Sequence, residues 1–256
     1  MIIRDLRFQE VIFEECHTEY KEGMDFFFQE LTTLNINGYI LKKISSFPSH
    51  LFCPGDEGIF LFMVMKNFFD YSIILVSRMV NDSYPESFTL LRFKNRVFEM
   101  TKPVYQEIVR ESLRSAKFDS TVQDILNRIK TLRNERLAHI NQDIITEKQG
   151  LTGISFSELE SVTNTVNKLI NSISFDVEYN MLPLHYMEGV KHPAGTDHGS
   201  DIDKILDDIA LRSSFLNQRE RLSRYPDVWK KIRENIGKDN LKVLNEYRCK
   251  LGLDEV

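Results

Sequence analysis

The sequence predicts an all-α protein, a helical bundle followed by a C-terminal helical extension, and three observations lead there. Apolar residues recur at spacings of three and four along most of the chain, the period of a helix with one buried face. The runs are separated by Pro, Gly and short polar clusters, which end helices. At 256 residues, with 42% hydrophobic and 28% charged side chains, the chain is ordinary for a globular protein and can bury a full core. The expected division is a helical domain over 1–179, a linker or long loop over 180–200, and a basic helical extension over 201–256.

Taken in order, Phe8, Val11, Ile12, Cys16, Tyr20, Met24, Phe27, Phe28 and Leu31 predict a long amphipathic helix from about Leu6 to Thr32. A second helical or extended piece, roughly Gly38 to Ser46, ends before Pro48. Pro54-Gly55-Asp56 then leads into the most apolar run, Ile59 to Val80. That run is about long enough to span a bilayer, but Lys66, Asp70 and Arg78 interrupt it, and it reads as a central core helix. Its aromatics, Phe60, Phe62, Phe68, Phe69 and Tyr71, read as core or dimer interface. Helices follow from about Ser87 to Met100 and from Pro103 to about Ala116, and Asp119-Ser120 caps the next. Ser155-x-x-Glu158 has the form of a capping box, and Leu159, Val162, Val166, Leu169, Ile170 and Ile173 line one face behind it.

From Asn180 to Ser200, five Pro and Gly residues break any periodicity. His185, His192, Asp197 and His198 lie in this stretch, but no pair has helical ligand spacing, so no metal site is expected. Between Arg212 and Lys250 basic residues predominate, with Tyr225, Trp229 and Tyr247 among them. Such a tail suits either an RNA backbone or an ordinary solvated helix pair whose aromatics pack on the bundle. The net charge of −5 argues against indiscriminate nucleic-acid binding by the whole surface. Three widely separated cysteines argue against a zinc ribbon or disulfide framework, and the first residues lack a signal-peptide pattern. A cytoplasmic setting is expected.

The segment that carries chemistry is Arg133-Asn134-Glu135-Arg136-Leu137-Ala138-His139. At about 100° per residue, Arg133, Arg136 and His139 form a slowly spiralling i, i+3, i+6 row on the apolar side of a helix whose stripe is Ile125, Leu126, Ile129, Leu132, Leu137 and Ile140. Burying arginine there is costly unless an anion or acceptor meets it, so the row asks for a carboxylate, a helix end or a phosphate.

At these residues the chain resembles the HEPN superfamily, whose Arg-x4-6-His motif is matched by Arg133 and His139 with five residues between. Ser77-Arg78-Met79-Val80-Asn81-Asp82, followed by Ser87-Phe88-Thr89-Leu90-Leu91, narrows the resemblance to the AbiU-type abortive-infection subgroup. The similarity spans roughly residues 5 to 178. It implies a HEPN-like bundle and a metal-independent endoribonuclease with no cofactor, acting as a toxin or abortive-infection effector, in which two protomers pair with their motifs facing across one cleft. Arg133 is then the phosphate clamp, His139 the acid or base, and Asn134 an orienting residue. Geometry adds Arg136, and Arg78 and Lys130 complete the RNA-binding candidates. Where many relatives have an acidic residue two after the histidine this chain has Asn141, so Asp82 or Asp143 is expected to supply any supporting carboxylate. The implied partners are RNA, a second protomer and an antitoxin protein. No tyrosine follows the histidine closely, which disfavours an antitoxin that nucleotidylates it. The alternative is a non-cleaving helical RNA-binding or protein-interaction module.

Overall fold

A computed structural model describes residues 3–53, 56–81, 87–116, 120–134, 153–176, 201–212 and 237–252, together with the isolated positions 227, 230, 231 and 234. The protein is all-α, and no strand occurs among the described residues. The main helices are α1 (His17–Ser46), α2 (Asp56–Val76), α3 (Leu90–Met100), α4 (Gln106–Ser115), α5 (Ser120–Leu132), α6 (Phe156–Asn171), α7 (Asp201–Arg212) and α8 (Lys238–Lys250). The chain divides into two compact units, one of Met1–Gly38 with Phe68–His185 and one of Tyr39–Asn67 with Tyr186–Val256. The expected first domain ran unbroken to residue 179, whereas residues 39–67 group with the C-terminal helices.

The first unit is built around Phe27, Leu31, Ile73, Val76, Phe93, Val97, Ile129, Val162 and Ile170, all essentially buried. The expected helix from Leu6 is broken at Ile12, because the backbone there pairs elsewhere. Phe13 N–H donates to Met100 O at 3.0 Å, and Lys102 N–H donates to Val11 O at 2.9 Å, so this stretch bridges to the end of α3. From His17, α1 runs 30 residues without a break, absorbing the piece expected to be separate. Tyr20 ties its start to the far end of α6, its hydroxyl donating to Ile173 O at 3.0 Å and accepting from Phe175 N–H at 3.2 Å. Asp176 turns the chain just beyond, at a φ of 69° that Asp tolerates better than most residues, and its carboxylate accepts from Phe8 N–H.

The capping box forms as expected. Ser155 Oγ accepts from Glu158 N–H at 3.2 Å, and the Glu158 carboxylate accepts from Ser155 N–H at 2.7 Å. The same carboxylate binds Arg128 of α5, whose guanidinium also donates to Gly153 O at 3.1 Å. The Arg128 hydrogen bond, followed by those from the Ser155 backbone and hydroxyl, holds the Glu158 carboxyl well below its ordinary range, at about 2. A carboxyl depressed in the folded state stabilises fully above its unfolded pKa, and that stabilisation fades as pH falls from about 4.5 to about 2. Glu158→Ala is therefore expected to melt below the parent at pH 7, with the gap narrowing as the pH falls from about 4.5 to about 2. Thermal melts of both proteins across that range check it, and a gap independent of pH would refute the assignment.

The second unit has its own core of Ile44, Phe47, Leu51, Phe52, Leu61, Leu206, Ala210 and Leu244. The Tyr247 ring lies tilted against Phe52 and edge-on to Phe47, at centroid distances of 4.9 and 5.9 Å, so this tail aromatic packs inside its unit. Lys250 pairs with Asp207 at 2.7 Å, and Lys43 with Asp203 at 3.1 Å. Tyr225 and Trp229 lie outside the described residues.

α2 departs from the expectation of a central core helix. Leu61, Ser72, Ile73, Leu75 and Val76 point inward, but Phe60, Phe62 and Tyr71 are exposed rather than core. The apolar residues go all the way round the helix, whereas the described neighbours cover only one side. By length and composition the stretch Gly58–Val80 could cross a membrane.

Candidate functional site

The candidate site lies where two helices end in widened turns. α2 passes at Ser77–Asn81 into a π-helical turn, and this turn packs against α5. Arg133 and Asn134 continue α5 beyond Leu132 in π geometry as well. Such turns bulge the backbone by a residue and recur at functional sites. The turn that carries Arg78 and the helix that leads into Arg133 are thus neighbours, although about 50 residues separate Arg78 from Arg133.

Within the π turn Met79 and Val80 are buried and anchor it, as is Ser77, whose hydroxyl has no hydrogen-bond partner among the described residues. Arg78 points outward, half exposed, and its guanidinium pairs with Glu30 of α1. Local spacing carries no sign of Glu30, which lies 48 positions away in the chain. The pairing leaves Arg78 less net charge to offer a phosphate than a bare arginine has.

On α5 the stripe Ile125, Leu126, Ile129 and Leu132 is buried as expected. It fixes the rotation of the helix and so the direction in which Lys130 and Arg133 point. These two are one turn apart and both partly exposed, and Asn134 is exposed beside them. Arg133 forks onto its neighbour, Nε and Nη2 donating to Asn134 Oδ1 at 3.0 and 2.8 Å. The amide oxygen thereby orients the guanidinium while leaving Nη1 unused by that fork.

His139, Arg136, Asp82 and Asp143 lie outside the described residues, as do Leu137 and Ile140 of the expected stripe. So do His185, His192, Asp197 and His198. Among the described residues no group of three or more His, Cys, Asp or Glu side chains is placed to hold a metal ion. Cys16, Cys53 and Cys249 are not joined in a disulfide. Comparison with known proteins finds no matching family model, curated protein or solved structure.

Proposed function

We propose that this chain is a metal-independent endoribonuclease of HEPN type, acting in the cytoplasm as a toxin or abortive-infection effector. The observation that supports this reading best is the oriented cationic pair of Lys130 and Arg133, braced by Asn134, on a helix that packs against the π turn carrying Arg78. In the proposed reaction the ribose 2′-oxygen attacks the adjacent phosphorus and the bond to the 5′-oxygen breaks. The products are a 2′,3′-cyclic phosphate and a 5′-hydroxyl. His139 moves a proton from the 2′-hydroxyl or to the leaving 5′-oxygen, as an imidazole titrating near neutrality can. The Arg133 guanidinium stabilises the charge that builds on the phosphorane, and Lys130 and Arg136 hold flanking phosphates. In the family resembled, two protomers share one cleft, and we include such sharing in the proposal.

The test is cleavage of a mixed RNA pool in EDTA by the purified protein, beside folded Arg133→Ala and His139→Ala variants. Cleavage by the parent, lost in both variants, is the expected result. RNA bound but never cut would replace the proposal with the non-cleaving binding module, and full activity in His139→Ala would refute the chemistry.

A further inference from the structure

The outward face of α5 on the approach to Arg133 is built unlike an ordinary solvated helix face. Gln123, Asn127, Thr131 and Asn134 are all exposed and uncharged. Asn127 and Thr131 lie inside the helix, where they neither cap an end nor fill the core, and both residue types are poor helix formers. α4 shows the usual alternative. Its exposed positions include Glu107, Arg110, Glu111 and Arg114, which favour a helix, and Arg110 pairs with Glu107 one turn away. The stretch from Ile125 to Asn134 also carries Arg128, Lys130 and Arg133 but no carboxylate. Arg128 turns to Glu158, whereas Lys130 and Arg133 flank the uncharged groups and are partly exposed.

Neutral amides and hydroxyls set among cations suit a chain that bears both phosphates and hydroxyls. We propose that Asn127 and Thr131 contact ribose 2′-hydroxyls of a single strand whose phosphates Lys130 and Arg133 hold, so that this face selects RNA over DNA. The inference rests on the RNA reading of the site and adds the residues that recognise the sugar.

Asn127, Lys130 and Thr131 fall within about 100° of arc on one helix, and Asn134 follows about two turns beyond Asn127 on the same side. Local hydrogen bonds fix what each side chain offers. Gln123 Nε2 donates to Asn127 Oδ1 at 3.4 Å, which leaves the two hydrogens on Asn127 Nδ2 as donors. Gln123 thus orients Asn127 much as Asn134 orients Arg133. Thr131 Oγ1 donates to Asn127 O at 3.2 Å, so its hydrogen is committed and its oxygen is left as an acceptor. A donor and an acceptor one turn apart match a 2′-hydroxyl, which both accepts and donates. A phosphate would accept from Asn127 but has nothing to give Thr131. DNA lacks the group altogether.

Strand affinity tests this. A labelled single-stranded RNA and its DNA counterpart are titrated by fluorescence anisotropy, in EDTA and at several salt concentrations, against the full chain carrying His139→Ala. Adding Asn127→Ala is expected to weaken RNA binding about fivefold, the loss of one hydrogen bond, while DNA affinity and the salt dependence stay as they were. Thr131→Ala should act in the same sense. Lys130→Ala should instead weaken both strands alike and lower the salt slope by about one. Because alanine is the better helix former, Asn127→Ala should melt at or above the temperature of its background. A lower melting temperature would make Asn127 a structural residue and overturn the proposal, as would equal losses for RNA and DNA. Cleavage of RNA by the parent, with RNA affinity unchanged in Asn127→Ala, would overturn this inference and leave the nuclease reading standing. The expected loss of RNA affinity, in a protein whose parent never cuts, would do the reverse.

Discussion

On the proposed chemistry, Arg133→Ala is expected to lower the rate of RNA cleavage by about 10²–10³-fold, the usual loss when a donor to a charged transition state is removed. The same substitution should leave stability within about 0.5 kcal/mol, because the side chain is partly exposed and its described hydrogen bonds are local, to Asn134. That separation of activity from stability is the diagnostic feature. Asn134→Ala removes only the brace, so a smaller loss of about tenfold is expected, and Asn134→Asp, which keeps an acceptor oxygen, should lose less ground-state order than Asn134→Ala. Single-turnover cleavage of a short end-labelled RNA, run beside thermal melts, measures both quantities. An Arg133→Ala variant that cuts at the parental rate would show that the clamp lies elsewhere.

The second large effect is one of packing. Gly23 lies within α1, where alanine ordinarily stabilises a helix by about 0.5–1 kcal/mol. Here a Cβ would overlap ring carbons Cε2 and Cζ of Phe93 and stand 2.9 Å from Cδ2. The ring has nowhere to retreat, being 1% exposed and wedged beside Phe27 and Phe88, each at a centroid distance of 5.4 Å. Overpacking of this kind costs about 1–3 kcal/mol or more and outweighs the helix gain. Gly23→Ala should therefore lower the melting temperature of the unit that holds it, and Phe93→Leu in the same chain should restore part of the loss by vacating the ring edge. Denaturant titration of the single and double variants tests this. A raised stability in Gly23→Ala would mean that α1 and α3 sit further apart than described.

Features set by neighbours in sequence were legible from it, and features set by distant contacts were not. The Ser155–Glu158 capping box and the buried faces of α6 and α5 follow from spacing alone, whereas Arg133, placed by the same spacing on the apolar side of its helix, is partly exposed and turns onto its neighbour Asn134. The break at Ile12 depends on hydrogen bonds to Met100 and Lys102, some 90 residues away, and periodicity carries no trace of them. Likewise α1 runs through Asn35, Asn37 and Gly38 because tertiary burial overrides their weak helix preference. The exposure of Phe60 and Phe62 is hidden in the sequence for the opposite reason. A helix apolar on every side looks like core whichever side its neighbours cover. At the candidate site the sequence located Arg78, Lys130, Arg133 and Asn134 on the right elements, but the Arg78–Glu30 pair is a tertiary event.

The division of the chain into two units also has a consequence for its synthesis. Leu61 and Phe52 share a core with Leu206 and Leu244, so their cover leaves the ribosome only after nearly two hundred further residues have been made. At about 5–20 residues per second that delay is roughly 10–40 s. Throughout it the nascent segment 39–67 presents Phe47, Phe52 and Leu61 together with Phe60 and Phe62, an invitation to chaperones or to premature aggregation. The core of the first unit, by contrast, has all its residues once Phe175 has been made, and it can close while roughly 80 residues remain to be translated. Folding of this chain on the ribosome should thus proceed in two steps, the later one waiting for the C-terminal helices.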